Sequence, residues 1–486
     1  MIPVLTKEQA CKLDKDTIDS GHLSKEHLMN NAGKAIAQFF CEKIDNSFKQ
    51  KVVVVCGKGN NGGDGVIAHS YLKYYGISSK IIFTEQNYVH SKLLKKYKIS
   101  ENEYYIFNDK TKFDEYDWII DGIFGIGLSR ELDYKYSTII EKINITENVI
   151  SIDVPSGISD SENNNLTIVS RYTVTFGYSK LSHYMNPINN LVISDIGLKS
   201  NTNSSIFKIN ADDIKIILHP VLNKKKIHKK KSQCNIIAGN IFYPGAAYLC
   251  SMAANKVGAG YVTLYTDSEN NLIDNLQSMM PEIIVKDLKY FTTYQNNVPI
   301  LIGPGGQSMS SINKQDDISK DIDNFVIDAS AISFFDDSES SIKDDLAKVP
   351  KFSIMTPHIG EFKTFFRIDK NKKIDLNILE YIQKKIGHRI VIIKSFNTFI
   401  VANDMIYIMD RGPSLLATAG TGDVLSGILV SLLSQGYSRL EASILGTYLH
   451  AEAANFYMNN ISRDGMTASD LIDCIPMAFN ILRNND

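Results

Sequence analysis

Residues 52–75 read VVVVCGKGNNGGDGVIAHSYLKYY, and this stretch decides the fold of the first half of the chain. The valine run at residues 52–55 predicts a buried strand, because β-branched residues fit a covered pleated surface. A glycine cluster at residues 57–65 follows, and a helical pattern extends from Val66 to Tyr75. Strand, glycine turn and helix place a nucleotide phosphate or ribose at the carboxyl end of the strand. The stretch therefore predicts a doubly wound α/β domain.

A second glycine-rich stretch, residues 417–429, reads ATAGTGDVLSGIL and runs directly into an apolar helix. Free N–H groups and the helix dipole at such a start favour a bound anion, typically a phosphate. Gly420 and Gly422 lack a Cβ, so their backbone can approach that phosphate closely. Asp423 lies in the same turn, where an anion would normally repel a carboxylate. Its presence indicates proton abstraction or metal organisation, and hence a phosphoryl-transfer or nucleotide site.

Length and strand pattern predict two α/β domains with mostly parallel sheets. The chain has 486 residues, too many for one ordinary core. Helical patterns cover residues 7–19 and 25–44, and apolar runs predict strands along the rest of the chain. In the first half these are 52–55, 80–83, 118–121, 149–153, 172–176 and 191–194. In the second half they are 234–238, 261–265, 299–303, 325–328, 352–356 and 390–394, with a hairpin-like pair at 398–402 and 406–409.

A basic segment marks the expected boundary between the domains. Residues 220–232 contain KKKIHKKK, a charge run with almost no apolar period. The alternative is a nucleic-acid or localisation patch, but the surroundings are not basic, so a solvated linker is the better interpretation. We therefore expect domains at 1–218 and 228–486.

Composition excludes several classes of protein. The chain is 44% hydrophobic and 22% charged, as expected for a soluble globular protein, and its net charge of −2 gives no general attraction to nucleic acid or membranes. No apolar run reaches the roughly 18 residues that span a bilayer. The six cysteines form no Cys-x-x-Cys pair and are expected to be free thiols. With no secretory or transit signal in residues 1–8, we expect a cytoplasmic protein.

Three stretches at predicted strand ends carry the polar residues of the first domain: 60–64, 121–131 and 151–157. In a doubly wound sheet all three converge on one carboxyl edge. Their asparagine, aspartate and serine oxygens suit a monovalent cation as well as a larger ligand. The alternative, that each aspartate caps a following helix, explains any one stretch better than it explains three together.

These stretches resemble the NAD(P)H-hydrate epimerase family. The resemblance rests on GKGNNGGDG at 57–65, DGIFGIGLSR at 121–130 and IDVPSG at 152–157, with LMNNAG at 28–33, and it covers residues 1 to about 215. It implies a Rossmann-like fold that interconverts the R and S forms of hydrated NADH or NADPH. The implied substrate contacts are Asn60, Asn61, Gly62, Gly63, Asp64, Gly125, Ile126, Gly127, Leu128, Ser129, Arg130, Glu131 and Asp153. The implied ligands of a potassium ion are Asn61, Asp121 and Ser156.

Epimerisation at the hydrated carbon requires proton transfer beside the ring. Asp153, at a predicted strand end, is the carboxylate best placed to act as a general acid or base. Lys180 is a weaker candidate, because a solvated surface lysine is the simpler explanation of that residue.

The second half carries further ligand-site signals. Pro244 begins an alanine-rich helix. Its small residues would let a ligand or a neighbouring helix approach closely, and the sequence favours neither explanation over the other. The sequence IGPGG at 302–306 ends a strand in a loop, and TPHIGEF follows a strand at 356–362. We expect His358, between a proline and a glycine, to contact a ligand. His450, on a helix of small residues, is expected to be structural.

Together these signals resemble the ribokinase-like superfamily, and within it the ADP- or ATP-dependent NAD(P)H-hydrate dehydratases, from about residue 228 to 481. The family phosphorylates the hydroxyl of the hydrate with a nucleotide, and elimination restores the nicotinamide. The resemblance implies that Asp423 takes the hydroxyl proton, with magnesium and the amides of residues 420–422 stabilising the transferring phosphoryl group. The implied hydrate contacts are Ala246, Gly305, His358 and Asp423, and the implied nucleotide contacts are Lys394, Ser395, Phe396, Asn397, Thr398 and Gly422.

Three stretches differ from the dehydratase pattern: HKKK at 228–231, KSFNT at 394–398 and GPSL at 412–415. The family has His-Lys-Gly-Asp, Lys-Gly-x-x-Thr and Gly-Asn-Pro-Gly there. The sequence predicts a bifunctional, self-associating repair enzyme for hydrated NADH and NADPH, with ADP or ATP as donor. Two alternatives remain: a ribokinase-like kinase for a vitamin or thiazole alcohol, and a nucleotide-binding scaffold without turnover.

Overall fold

The structure is a computed structural model that describes residues 1–86, 90–128, 131–158, 166–199, 203–218, 232–267, 269–291, 298–306, 324–336 and 340–484. The chain divides into two compact units. The N-terminal unit comprises Pro3–Ile206 with Lys373–Leu376, and the C-terminal unit comprises Met1–Ile2, Phe207–Lys372 and Asn377–Asp486. Residues 220–231 of the predicted linker lie outside the described residues, so its position stays a prediction.

A seven-stranded parallel sheet forms the centre of the N-terminal unit. Strands are numbered along the chain, and β1 (Ile2–Pro3) belongs to the larger sheet of the other unit. The seven strands are β2 (Lys51–Cys56), β3 (Ser78–Phe83), β4 (Tyr104–Ile106), β5 (Trp118–Gly122), β6 (Val149–Ile152), β7 (Tyr172–Phe176) and β8 (Leu191–Ser194). Their order is β4-β3-β2-β5-β6-β7-β8, with every neighbouring pair parallel. The order reverses between β2 and β5, which is the switch point of a doubly wound fold.

Helices cover both faces of this sheet. They are α1 (Lys7–Asp19), α2 (Lys25–Lys43), α3 (Asn60–Tyr74), α4 (Ser91–Lys96), α5 (Tyr134–Ile143) and α6 (Ser182–Met185). Val52 and Val54 of β2 pack in one apolar cluster with α2 and α3, whereas Val53 and Val55 pack in another with α5. Successive side chains of a strand point to opposite faces, so a strand covered on both sides needs an unbroken apolar run.

Helix α3 begins six residues earlier than the hydrophobic pattern predicts, at Asn60 rather than Val66. Glycine is a poor helix former, but here close packing requires it. A Cβ added to Gly62 would lie 1.9 Å from the carbonyl oxygen of Gly57, and one added to Gly65 would lie 2.8 Å from Cys56 Sγ. Most of the glycine cluster therefore forms the first turns of a helix that lies close to the sheet. The connection from β2 to α3 is short.

Replacing Gly57 by alanine is expected to destabilise the N-terminal unit. The added Cβ would lie 2.0 Å from the carbonyl oxygen of Ile123, and backbone cannot yield as a flexible side chain does. Overpacking of this kind predicts a loss of at least about 2 kcal/mol in the free energy of unfolding. Urea unfolding followed by fluorescence of Trp118, the chain's single and buried tryptophan, measures it. Gly127→Ala is the matched control, because an added Cβ there meets nothing within 4 Å; equal stability of the two variants would contradict the prediction.

The C-terminal unit is built on an eleven-stranded sheet. Its strands are β1, β9 (Ile206–Lys208), β10 (Gln233–Ile237), β11 (Tyr261–Thr266), β12 (Ile284–Asp287), β13 (Ile300–Ile302), β14 (Phe325–Ile327), β15 (Ser353–Met355), β16 (Ile390–Ile393), β17 (Thr398–Val401) and β18 (Ile406–Met409). They follow the order β1-β9-β18-β17-β16-β15-β14-β13-β10-β11-β12. Strands β10 to β16 pair in parallel, and β16, β17 and β18 pair antiparallel, which confirms the predicted hairpin.

A helical layer holds the largest apolar core of the described residues. The helices of this unit are α7 (Ala211–Ile217), α8 (Pro244–Val257), α9 (Leu272–Met279), α10 (Ser330–Phe334), α11 (Ile342–Lys348), α12 (Ile359–Phe365), α13 (Leu376–Ile386), α14 (Thr421–Ser434), α15 (Arg439–Asn460) and α16 (Ala468–Asn484). Helices α8, α14, α15 and α16 pack together against Ile236, Leu301 and Ile354 of the sheet. Because α14 is enclosed by its neighbours, it is apolar around most of its circumference.

Every strand predicted from an apolar run is present. Among the described residues, four strands were not predicted, β1, β4, β9 and β12, and they have two to four residues each. All six cysteines are free, as predicted. Among the helices in the described part of the chain, none has the length and apolar character needed to span a membrane.

Candidate active sites

A cavity of about 820 Å³ lies at the carboxyl edge of the sheet in the N-terminal unit. Its walls come from the segments after β2, β5, β6 and β7, with side chains from α1 and α2. This is the switch point at which open α/β sheets bind ligands. Eight of the expected substrate contacts line it: Asn60, Asn61, Asp64, Gly125, Ile126, Gly127, Leu128 and Asp153. The prediction that three separate stretches meet at one edge is thus confirmed.

Asp153 follows β6 directly and has a left-handed backbone with φ 64°, a strained conformation for a residue with a side chain. Its Oδ1 accepts hydrogen bonds from Lys180 Nζ at 2.7 Å and from Thr175 Oγ1 at 2.8 Å. Burial alone would raise the pKa of Asp153, but the charge and hydrogen bond of Lys180 hold it below its ordinary value. The carboxylate is therefore ionised at neutral pH.

Lys180 corrects an expectation from the sequence, since it is not a solvated surface lysine. Lys180 is only 5% exposed, and its Nζ also donates to Thr175 Oγ1 at 2.7 Å and to the carbonyl of Phe176 at 3.1 Å. A buried ammonium group is stable only when it is paired and hydrogen-bonded, and here Asp153 and two further oxygens meet that need. The pair is a fixed part of the cavity wall.

His183 is a residue of this site that the sequence did not indicate. Its Nδ1 accepts the backbone N–H of Lys180 at 3.0 Å, so Nε2 carries the hydrogen that it donates to the carbonyl of Asp153 at 2.8 Å. Burial, followed by the positive charge of Lys180, lowers the pKa of His183 to about 4, so the ring is neutral. The histidine holds both members of the ion pair by their backbones, and no local sequence pattern marks it.

Asp121 joins two of the loops at the cavity. Its carboxylate accepts four hydrogen bonds from neutral donors: Ile123 N, Ser151 Oγ, Ser156 N and Ser156 Oγ, at 2.6–3.2 Å. Burial raises the pKa of Asp121, although these hydrogen bonds oppose the shift. Nearby, Ser156 Oγ lies 3.3 Å from the carbonyl oxygen of Phe124, to which Asn61 Nδ2 donates at 2.9 Å. The three residues expected to bind potassium are therefore brought together, and Asp121 is not a helix cap.

The remaining expected contacts of the epimerase-like half do not line the cavity or are not described. Gly62 and Gly63 face neighbouring atoms of the fold, with an added Cβ on Gly63 meeting Met29 Sδ at 2.8 Å. Glu131 is exposed and outside the cavity wall. Ser129 and Arg130 lie outside the described residues.

In the C-terminal unit, Asp423 is the third residue of α14, where the sequence places it. Burial, then the negative charge of Asp328, raises the pKa of Asp423 to about 6, with Lys394 opposing the shift. Lys394 Nζ donates to Asp328 Oδ1 at 2.9 Å, and Ser426 Oγ donates to Asp328 Oδ2 at 2.5 Å. Within the described chain, no hydrogen bond or ion pair engages the Asp423 carboxylate. Asp328 was not predicted as a site residue, although it ends a predicted strand.

Two glycines shape the start of α14. Gly420 has φ 88°, and an added Cβ would lie 2.5 Å from Leu249 Cδ1 of α8. A Cβ added to Gly422 would lie 3.3 Å from Lys394 Nζ, so two expected nucleotide contacts are neighbours. The free N–H groups of the helix start and the Lys394 ammonium group thus lie side by side, which suits a phosphate.

Of the other expected hydrate contacts, Ala246 lies on α8, Gly305 follows β13, and His358 lies at the start of α12. A Cβ added to Gly305 would be 3.0 Å from Ala246 Cβ, and Ala246 lies one turn before Leu249 on α8. His358 caps α12, its Nδ1 accepting the N–H of Gly360 at 3.0 Å, and it forms a parallel bridge with Lys394. The other expected nucleotide contacts continue from Lys394 towards β17: Ser395, Phe396, Asn397 and Thr398. His450 donates through Nε2 to the carbonyl of Thr421 at 2.8 Å, in line with the structural role expected of it.

Comparison with known proteins identifies the family. Residues 234–477 match the family described as NAD(P)H-hydrate dehydratase, and residues 25–182 match the YjeF-related protein N-terminus. A bifunctional NAD(P)H-hydrate repair enzyme of Dictyoglomus turgidum is 31% identical over 98% of both chains. The chain belongs to the family of bifunctional NAD(P)H-hydrate repair enzymes.

Other relatives agree with this assignment. The repair enzyme of Coxiella burnetii is 27% identical, covering 99% of this chain and all of that protein. Among solved structures, a ribokinase-like superfamily protein of Enterococcus faecalis has a TM-score of 0.50 at 22% identity, covering 58% of this chain and 99% of that one. This likeness supports the predicted ribokinase-like fold of the second half. The family has an N-terminal epimerase domain and a C-terminal dehydratase domain, in the order predicted.

Proposed function

We propose that the N-terminal unit interconverts the R and S epimers of hydrated NADH and NADPH, and that the C-terminal unit dehydrates the S epimer with ADP or ATP. The observation that carries this proposal is that each family match contains its own carboxylate in a polar site, Asp153 in one and Asp423 in the other. A dehydratase that accepts one epimer leaves the other unused, and an epimerase in the same chain removes that limit. Self-association, cytoplasmic location and the choice of nucleotide stay predictions.

In the epimerase site, the ionised Asp153 carboxylate is the proposed general base. Oδ1 is occupied by Lys180 and Thr175, whereas a Cβ added to Gly125 would meet Oδ2 at 3.5 Å. The second oxygen therefore faces the glycine loop after β5, where substrate would lie. Holding the carboxylate with one oxygen bound and one free gives it a defined direction for proton transfer.

The loops beneath this cavity fit a monovalent cation. Asp121, Ser156 and Asn61, with the carbonyl of Phe124, supply oxygen atoms from one charged group and three neutral ones, a set that suits a monovalent cation. The four hydrogen bonds that described residues donate to Asp121 come from neutral donors, so a cation would relieve the cost of burying that charge. A bound potassium ion would supply positive charge that fixes the loops after β5 and β6.

In the dehydratase site, Asp423 is the proposed base for the hydroxyl of the hydrate. The N–H groups at the start of α14 and the Lys394 ammonium group would bind the phosphates of the nucleotide. Among the described residues, no group of three or more His, Cys, Asp or Glu is arranged to hold a metal ion. Magnesium bound together with the nucleotide would neutralise charge on the transferring group.

Recovery of NADH absorbance at 340 nm tests both activities. The intact protein is added with magnesium and ADP or ATP to a mixture of R and S NADH hydrate under conditions that slow their spontaneous exchange. Recovery of the S fraction alone would show dehydration without epimerisation, and recovery of the whole mixture would show both. No recovery with either nucleotide would contradict the dehydratase role.

The rate of dehydration is expected to fall in acid with a midpoint near pH 6. A base must be ionised, and the pKa of Asp423 is raised to about 6, so protonation removes the active form as the pH drops below that value. In the limit kcat/KM falls about tenfold for each pH unit. Initial rates from pH 5 to 8 with saturating nucleotide measure the effect. A profile that is flat down to pH 5 would contradict it.

A further inference from the structure

The wall of the cavity in the N-terminal unit carries carboxyl groups besides that of Asp153. Asp64 lines the same cavity as Asp153. No ion pair or hydrogen bond of the described residues engages its carboxyl group, whereas Asp153 is fixed by Lys180. A polar group that faces a cavity without a partner in the protein is available to a ligand.

Gly125 lies close to both the Asp153 carboxylate and Asn61 of α3. A Cβ added to Gly125 would be 3.5 Å from Asp153 Oδ2 and 3.3 Å from Asn61 Oδ1. Asp64 follows Asn61 by three residues on α3, so the two side chains lie on one face of that helix, about 5–6 Å apart at Cβ. A small ring bound against Gly125 would therefore lie between Asp153 and the face of α3 that carries Asp64.

Building on the proposed epimerase function, we propose that Asp64 is the catalytic acid of epimerisation and Asp153 its complementary base. Hydration of an enamine places the hydroxyl group on the carbon beside the ring nitrogen. The bond between this carbon and oxygen breaks, and the electron pair leaves with the oxygen, which takes the proton of Asp64 and departs as water. The lone pair of the ring nitrogen then forms a carbon–nitrogen double bond.

A water molecule on the other face of the ring completes the inversion. It bonds to the same carbon and gives one proton to the Asp153 carboxylate, and the double-bond electrons return to nitrogen. The inverted epimer results, with one proton moved from Asp64 to Asp153 and water both released and consumed. Reaction of the other epimer runs the same steps backwards, and exchange with solvent restores the starting protonation.

The charges around the two groups favour these opposite roles. Burial raises the pKa of Asp64 well above its ordinary value, and the negative charges of Asp153 and of Asp14 on α1 add to the effect, with Lys25 of α2 opposing it. Lys180 instead holds the pKa of Asp153 down. Lys58 is a further charged group in the wall, beside the start of α3, and the negative charge of Asp64 acts on the buried Cys56 thiol of β2. Two carboxyl groups whose pKa values are shifted in opposite directions are suited to serve as acid and base.

The test uses the intact protein, purified R NADH hydrate, no nucleotide, and chromatographic measurement of the S epimer. For wild type, kcat/KM should rise with pH as Asp153 ionises and fall again as Asp64 loses its proton. Asp64→Asn should lower the maximum by a factor of about 10²–10⁴ and abolish the falling limb. Asp64→Glu, which keeps an acid, should retain that limb. Asp14→Asn, which removes another carboxylate from the cavity wall, should retain it as well.

The outcomes separate this inference from the function on which it rests. If wild type epimerises and Asp64→Asn keeps both its rate and its falling limb, Asp64 is only a contact and the inference is overturned. Wild-type epimerisation in H₂¹⁸O should also introduce one labelled oxygen per inversion, and inversion without label would overturn the bond-breaking step. A wild-type protein with no epimerase activity would overturn the proposed function and this inference together. Thermal unfolding of each variant confirms that any loss of rate comes from a folded protein.

Discussion

Replacing Asp423 by asparagine is expected to slow dehydration of S NADH hydrate by a factor of about 10²–10⁴, the usual contribution of a general base. Asparagine keeps the size of the side chain but cannot accept the hydroxyl proton. The first turn of α14 should persist, since no hydrogen bond in the described part of the chain depends on this carboxylate. Absorbance at 340 nm with magnesium and saturating nucleotide measures the rate.

Two comparisons decide whether such a loss is chemical. Asp473→Asn removes an acid from the same unit, but its side chain is 74% exposed and pairs with Lys256, so its dehydration rate should match wild type. Epimerisation by Asp423→Asn should also be unchanged. If Asp423→Asn retains more than about a tenth of the wild-type rate, the carboxylate is not the base.

The contrast between Asp423 and Asp328 explains why only one of them is proposed to carry the chemistry. The carboxylate oxygens of Asp328 accept hydrogen bonds from Lys394 and Ser426, which is typical of a structural anion. Asp423 lies beside it without such partners, and the neighbouring charge raises its pKa towards neutrality. A base is most effective when its pKa is near the working pH. Asp328 thus affects Asp423 through its charge while it positions Lys394.

The fold could be predicted from sequence wherever burial imposes a pattern. Strand β2 is covered on both faces, and its valine run is the direct record of that burial. The unpredicted strands lie at or near sheet edges and are short, as with β4 and β12. Their burial is incomplete, so no apolar run marks them. The predicted start of α3 was wrong because close packing against the sheet outweighs the low helix propensity of glycine.

The site residues likewise divide into those that could be predicted from the sequence and those that could not. Glycine-rich motifs and carboxylates at strand ends pointed to Asp153 and Asp423, because the backbone requirement and the chemistry are both local in sequence. The partners of these carboxylates are set by topology. Lys180 comes from the segment after β7 and Lys394 from the end of β16, and neither local context shows that an acid lies beside it. A buried lysine therefore looks the same in sequence as an exposed one.

Replacing Lys180 by methionine is expected to damage both stability and epimerisation. Methionine keeps the bulk of the side chain but leaves Asp153 without its cation in a largely buried position. Breaking a buried pair from one side typically costs about 3–5 kcal/mol of the free energy of unfolding. The pKa of Asp153 should rise once Lys180 no longer opposes burial. The rising limb of the epimerase pH profile should then move to higher pH, and the rate at neutral pH should fall.

The double variant Lys180→Met/Asp153→Leu separates the two effects. With no uncompensated charge left, it should recover most of the lost stability, as apolar replacements of buried pairs do, but none of the epimerase activity. Because the folded pKa of Asp153 is below its unfolded value of about 3.9, the pair stabilises wild type above that pH, and this contribution is lost as the pH falls further. Urea unfolding at pH 7 and pH 3, followed through Trp118, should therefore show wild type and Lys180→Met differing far more at pH 7. Equal differences at both pH values would mean that Lys180 supports the fold by packing and not by its charge.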